Sequence, residues 1–377
     1  MTDALLVHGS CHDRFAPVAD AFRAALAEGE ELGARFALSV EGEIVVDLWG
    51  GFADRARTRP FADDTLTPVF STTKAVASIL VARLVDQGRI AYDQPVAEVW
   101  PEFAAAGKGQ VSIAQALSHQ AGLPGFAEPM DPALWFDWEA ICEKLAAMAP
   151  MWPPGTASGY HPVTFGYIAG EIFRRVDGRT MGTALREDLA SPFGLDLWIG
   201  LPDAEHGRAA EMERPKTMPE FGEINAPRRA AFLTRWASPG GRGSAEWRRA
   251  EIPSANGHAT APALARLASA LACDGMIDGR RILSPETIAQ ASRERIAGDD
   301  LVLPYRMSWG AGFMRNASLG IYGPNPQSFG HSGWGGSCAF ADPERGIAAA
   351  YVMNRQSSLL LGDPRAQRLV NAAYGCL

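Results

Sequence analysis

The sequence predicts an α+β protein: an antiparallel sheet assembled from both ends of the chain and flanked by helices, with a helical subdomain inserted between them. Three observations predict it. Apolar runs of strand character lie near the amino terminus and return towards the carboxy terminus. Helical periodicity dominates the stretch between. The regular strand–helix alternation of a doubly wound parallel sheet is missing. Residues 1–74 and 240–377 are therefore expected to form a discontinuous α/β part, and residues 75–239 a mainly helical one, with the active site between them.

In chain order, ARFALSVEGEIVVDLWG at 34–50 reads as two strands around a Glu41-Gly42 turn. A polar connection leads to a short β-type run, Thr67-Pro68-Val69-Phe70. The helical segments KAVASILVARLVDQGRI, VSIAQALSHQ, WEAICEKLAAM, TFGYIAGEIFRRVDG and TMGTALREDLA follow, separated by Gly/Pro turns such as GLPGF and PPGT. Residues 203–257 are charged and broken by Pro and Gly, which predicts a long loop-rich excursion with short helices bordering a site. APALARLASALACDG restores a helix. MSWGAGFM and CAFADPERGIAAAYVMN carry β character, and a closing helix is expected from about residue 364.

The 377 residues are 47% hydrophobic and 21% charged, enough for a large core and a prior of two subdomains. Formal net charge is -8, so no basic excess is present to neutralise phosphates and nucleic acid is not an expected partner. The amino terminus, MTDALLVHGSCHDRF, has an acidic residue where a signal peptide needs cations. No run approaches the ~18 apolar residues of a membrane span. A cytoplasmic location with no membrane partner is expected. Cys11, Cys142, Cys273, Cys338 and Cys376 are scattered and odd in number, which suits a reducing compartment. His8, Cys11 and His12 cluster without a second ligand pair, so they are read as a local loop and no metal is expected.

Ser71-Thr72-Thr73-Lys74 sits where the β-type run meets the first long helix. A serine there is either an N-cap or a nucleophile. Residues three apart share a helix face, so Lys74 can bring its amine to the Ser71 hydroxyl. The other lysines, Lys108, Lys144 and Lys216, follow no serine at that spacing. Lysine, unlike arginine, can lose its proton when buried, and a helix amino terminus favours negative charge developing on the serine. GHSGWGG at 330–336 resembles a nucleophile elbow, but Trp334 stands where the second glycine belongs. His331 is also the last histidine, so Ser332 cannot head a triad of that chain order.

Residues 65–125, beginning TLTPVFSTTKAVASILVARLVDQGRIAYDQPVAEVWPEF, resemble the serine β-lactamase and penicillin-binding-protein superfamily, and more narrowly its class-C-like esterases, the family VIII carboxylesterases. The resemblance continues through SGYHPVTFGYIAGEIFRRVDGR, ATAPALARLASALACDGMIDGRRILSPET and FGHSGWGGSCAFADPERGIAAAYVMNR, and so covers most of the chain in order. It implies a serine β-lactamase-like fold, with Ser71 as nucleophile, Lys74 as its lysine and Tyr160 as the tyrosine of the second motif. In that scheme the Lys74 ammonium acidifies the Tyr160 phenol, which takes the Ser71 proton and returns it to the leaving alcohol. His161 is assigned to packing or support.

The third motif admits two registers. Trp334-Gly335-Gly336, the form such esterases tend to carry, is preferred and pairs the Ser337 N–H with that of Ser71 as oxyanion donors. With His331-Ser332-Gly333, Trp334 would donate instead. Trp152, Phe165 and Trp334 are candidate pocket walls. Pro162 replaces a common asparagine, and Trp334 the motif's lysine, both of which favour a neutral ester over a β-lactam or a peptide carboxy terminus unless His331 is protonated. The resemblance thus implies a cofactor-free serine hydrolase cleaving small, short-acyl esters. A β-lactamase, peptidase or amidase, an acyltransferase, or an inactive binding paralogue are the alternatives. A small-molecule ester is the expected partner, and the oligomeric state is left open.

Overall fold

The hairpin at 34–50 forms as its pattern requires. Strands Gly33–Val40 and Glu43–Gly51 pair antiparallel around Glu41 (φ 51°) and Gly42 (φ 89°), two residues with positive φ that match the right-handed twist of the strands. The structure, a computed structural model, describes residues 6–377, so the first five residues, on which the amino-terminal reading partly rests, lie outside the described residues.

The hairpin belongs to an antiparallel sheet of nine strands among the described residues, in the order His8–Cys11, Glu43–Gly51, Gly33–Val40, Ile347–Met353, Cys338–Asp342, Phe329–Ser332, Met314–Arg315, Arg306–Trp309, Ile296–Asp299. The two ends of the chain meet at its centre, where Ala34 through Val40 pair with Met353 through Ile347. All seven residues of Ile347–Met353 are buried, because this strand is covered on both faces. The face towards helix Ala261–Ala272 carries small residues (Ala37, Ala339, Ala341, Ala350), and the helix brings alanines to meet them, so backbone and sheet approach closely. The opposite face carries Phe36, Leu38, Phe340, Tyr351 and Met353 against the terminal helices Ala16–Ala27 and Pro364–Tyr374. The α+β class predicted from sequence, with an antiparallel sheet built from both ends of the chain, is the class found.

Some elements differ from expectation. His8–Cys11, read as a loop, is an edge strand on Glu43–Gly51; His8 stacks on Trp49, and the Cys11 thiol donates to the backbone carbonyls of His12 and Phe15. Phe329–Ser332 is a strand with no alternating pattern to announce it. Thr67–Phe70 joins Gly257–Ala259 and Leu197–Trp198 in a small separate sheet, a pairing between segments far apart in sequence.

Helix Thr73–Asp86 lies at the centre of the fold with eleven buried residues, among them the polar Thr73, Lys74 and Ser78. Such a helix is apolar all round rather than amphipathic. Its buried hydroxyls are all bonded: Thr73 Oγ1 donates to Phe70 O and accepts from Gly257 N–H, and Ser78 Oγ donates to the Lys74 and Gly312 carbonyls. Helix Thr164–Asp177, ended by Gly178 in the left-handed conformation, packs across it. The 203–257 excursion contains only short helical turns, as its punctuation predicts.

Candidate active site

The small sheet delivers Ser71 to the start of the central helix. Phe70, immediately before it, has φ 46°, a left-handed conformation that is costly for an aromatic residue and is held here by pairing with Gly257. Ser71 is not the cap: Thr72 occupies the N-cap position but makes no side-chain capping bond, and its hydroxyl instead contacts Ser337 Oγ at 3.1 Å. The Ser71 hydroxyl is thus free for Lys74, whose Nζ lies 3.2 Å from it.

Lys74 is fully buried. Its Nζ bonds the carbonyls of Pro162 at 2.7 Å and Ser254 at 3.0 Å, sits 4.7 Å above the centre of the Tyr160 ring, and has no carboxylate partner among the described residues. Burial pushes its pKa well below the ordinary lysine value. Tyr160 moves the opposite way. Burial raises its phenol pKa, although hydrogen bonding to Ser71 pulls it down. Desolvation is the first cause for both groups and favours the neutral amine of Lys74 and the neutral phenol of Tyr160, a direction opposite to the expected acidification of Tyr160 by a Lys74 ammonium.

Tyr160 is held by a framework that the sequence did not announce. Its ring stacks on Trp309 at 5.8 Å, and its N–H donates to Asp300 Oδ1 at 2.9 Å. The same oxygen accepts from Val302 and Leu303 N–H at 2.9 Å each, while Oδ2 accepts from Ser158 Oγ at 2.9 Å and Trp309 Nε1 at 3.3 Å. One buried carboxylate thereby fastens the 158–160 turn to the 300–303 loop. His161 Nε2 accepts from Leu123 N–H while Nδ1 bonds Gly159 O, and burial lowers its pKa to about 3. It is a neutral strut.

Strand pairing bears on the register of the third motif. Gly333 N–H donates to Ser337 O at 2.7 Å, across the turn that follows strand Phe329–Ser332. In an extended chain the N–H and C=O of a residue point to the same side and alternate along the strand. Ser337 therefore faces Gly333, whereas Ser332 and Trp334 turn their backbone groups to the opposite edge. That edge is occupied by Met314 opposite Gly330 and then opens on the cavity beside Ser71, where both Ser332 and Trp334 lie. This placement favours the His331-Ser332-Gly333 register over the preferred one: Ser337 is fully buried with its hydroxyl donating to Val69 O at 2.8 Å, whereas Trp334 lines the cavity beside Ser71. Gly333 explains the close fit, since a Cβ there would lie 2.2 Å from Val69 O. Gly335 (φ 91°) and Gly336 (φ 133°) are turn glycines, and Gly335 does not line the cavity.

That cavity, about 140 Å³, is mainly apolar. Ser71, Tyr160, Pro162, Ser332 and Trp334 form one side, and the excursion supplies the other through Met218, Phe221, Phe232, Arg242 and Trp247. Of the aromatic walls expected, only Trp334 is present. Trp152 lies under the Tyr160 turn, with its indole N–H on Ala157 O and its ring against Gly159. Phe165 packs beside Lys74 and His119. His331 is fully buried near Tyr160 and Trp309, and burial first, then the Lys74 charge, holds its pKa well below the usual imidazole value. It is neutral and supplies no cation to the cleft.

A family model described as Beta-lactamase matches residues 18–373. The chain belongs to the beta-lactamase family. Its fold is that of a serine hydrolase, and the relatives named next agree with it along nearly the whole length. The chain is 38% identical to Esterase/beta-lactamase LipL of Mycobacterium tuberculosis, over 94% of this chain and 84% of that protein. Among solved structures it resembles a penicillin-binding protein homolog from Caulobacter crescentus (66% identity, TM-score 0.97, 99% of this chain and 100% of that one). It also resembles a family VIII carboxylesterase (45% identity, TM-score 0.93, with the same coverage). No helix among the described residues is long and apolar enough to cross a membrane.

Proposed function

We propose that this beta-lactamase-family chain is a carboxylic ester hydrolase that cleaves small, short-acyl esters through an acyl-enzyme on Ser71. The observation that carries the reading is the Lys74 amine, buried without a carboxylate and 3.2 Å from a hydroxyl that opens on an apolar cavity. With two N–H bonds given to the Pro162 and Ser254 carbonyls, a neutral amine keeps its lone pair for the Ser71 proton. Ser71 Oγ then attacks the ester carbonyl, whose oxygen is received by the N–H groups of Ser71 and Trp334. The protonated Tyr160 phenol delivers a proton to the departing alkoxide and regains one from the Lys74 ammonium. Water repeats the sequence on the acyl-enzyme, releasing the acid and restoring the free serine.

Esterase names among the relatives, the limited cavity volume and its apolar lining support small acyl groups. The neutral His331 speaks against a β-lactamase or peptidase that finds its substrate carboxylate through this strand. Hydrolysis of p-nitrophenyl butyrate and of a chromogenic cephalosporin by wild type and Ser71→Ala tests the reading. Rapid ester turnover lost in a folded Ser71→Ala protein, with little cephalosporin cleavage, is expected. Ester turnover surviving the substitution would remove Ser71 as nucleophile, and dominant cephalosporin cleavage would reverse the substrate assignment.

A further inference from the structure

A second cavity, about 380 Å³, adjoins the catalytic one and shares Phe70, Arg242 and Trp247 with it. Its lining is unlike that of its neighbour. Four guanidinium groups, Arg55, Arg214, Arg242 and Arg248, face a single carboxylate, Glu211. Glu211 is committed to Arg55 at 3.7 Å. Arg214 and Arg242 have no carboxylate partner among the described residues, and the buried Nε of Arg248 has no acceptor. Arg242 stands at the junction of the two cavities, its guanidinium 4.6 Å above the Trp334 ring and touching only Ser238 Oγ at 3.4 Å. Arg242 as a whole is exposed to solvent, but its guanidinium end lies against the Trp334 ring, and crowding there, then the Arg214 charge, lowers its pKa to about 10. It remains a cation at neutral pH. Arg55, Arg214 and Arg242 are exposed, so solvent screens their mutual repulsion, but four guanidinium groups gathered beside an apolar acyl site form a cationic patch that fits an anionic ligand, and a planar guanidinium matches a carboxylate's two oxygens.

We propose that the preferred substrates are esters bearing a carboxylate, which Arg242 and Arg214 receive at the mouth of the arginine-lined cavity while the ester carbonyl lies at Ser71. This rests on the ester-hydrolase reading. It also revises the neutral-ester expectation: the cation absent from the third motif is provided by a different segment, on the far side of Phe70. Two matched pairs test it by pH-stat: ethyl hexanoate against monoethyl adipate, with the charge on the acyl side, and phenyl butyrate against 3-carboxyphenyl butyrate, with the charge on the leaving group.

In at least one pair wild type is expected to favour the charged member in kcat/KM. Arg242→Gln should lower that charged-to-neutral ratio by about tenfold or more, Arg242→Lys by less, and Arg214→Gln in the same direction. Added salt should shrink the preference. Wild type favouring the neutral member of both pairs, or a ratio unmoved by Arg242→Gln, would overturn the proposal while leaving ester hydrolysis standing. Adipate titrated calorimetrically into the Ser71→Ala protein and its Arg242→Gln double variant gives a readout without turnover. Heat of binding that weakens about tenfold in the double variant supports the subsite, and equal affinity or no binding to either refutes it.

Discussion

Replacing Lys74 by Met isolates the feature on which the chemistry rests. Lys74 is fully buried, and its folded-state pKa is depressed by desolvation. In the unfolded chain it is protonated up to about pH 10.4. Between the depressed folded value and the unfolded one, the unfolded state therefore binds one proton more than the native state. Each pH unit of increase in that window adds about 1.4 kcal/mol to the stability of wild type, a contribution lost as pH falls towards the folded pKa. Lys74→Met has no proton to bind in either state. It also leaves the Pro162 and Ser254 carbonyls without their partner, at a cost on the order of 1–3 kcal/mol each that does not vary with pH. The difference in unfolding free energy, wild type minus variant, should consequently rise with pH across that window, by about 1.4 kcal/mol per pH unit. Urea denaturation of both proteins at pH 7, 8 and 9 measures it, with the other titrating groups cancelling in the difference. Parallel stability curves would refute the reasoning, because they would mean that Lys74 keeps its proton in the fold and cannot be the base.

Further outcomes follow from the same geometry. Tyr160→Phe keeps the stacking on Trp309 and should hold the melting temperature while lowering ester kcat by roughly 100- to 10,000-fold, as read by steady-state kinetics. Gly333→Ala places a Cβ 2.2 Å from Val69 O and 2.3 Å from Ser337 Oγ. The strand end must retreat from Ser71, and a loss of kcat of about 100-fold or more is expected, with a stability cost of ~1–3 kcal/mol by denaturation. Asp300→Ala leaves the N–H groups of Tyr160, Val302 and Leu303 without an acceptor; thermal melting should fall, and kcat with it, although the residue does not line the cavity. Ester kcat/KM should fall on the acid side as Lys74 gains its proton, and Lys74→Met should show only the residual rate.

The sequence by itself determined the elements whose causes are local. The Glu41-Gly42 hairpin, the helix that carries Lys74 three residues after Ser71, the breaks of the 203–257 excursion and the strands near both termini all follow from spacing, period and turn chemistry. Ser71, Lys74 and Tyr160 were legible because blocks of sequence around each keep their order. What only the tertiary structure decided are relations between distant segments. Whether Ser337 or Trp334 faces the cleft depends on how Gly333 pairs across a turn, and both registers read equally well as letters. Trp152, Phe165 and His331 are aromatic residues near the right motifs, yet they buttress the site from beneath, and nothing in a side chain's identity tells a wall from a buttress. Asp300 has no spacing signal because its donors come from three separate stretches. The direction in which protonation is biased belongs to the tertiary structure too: burial penalises charge on Lys74 and on Tyr160, and burial is a property of the packed fold rather than of any residue in the chain.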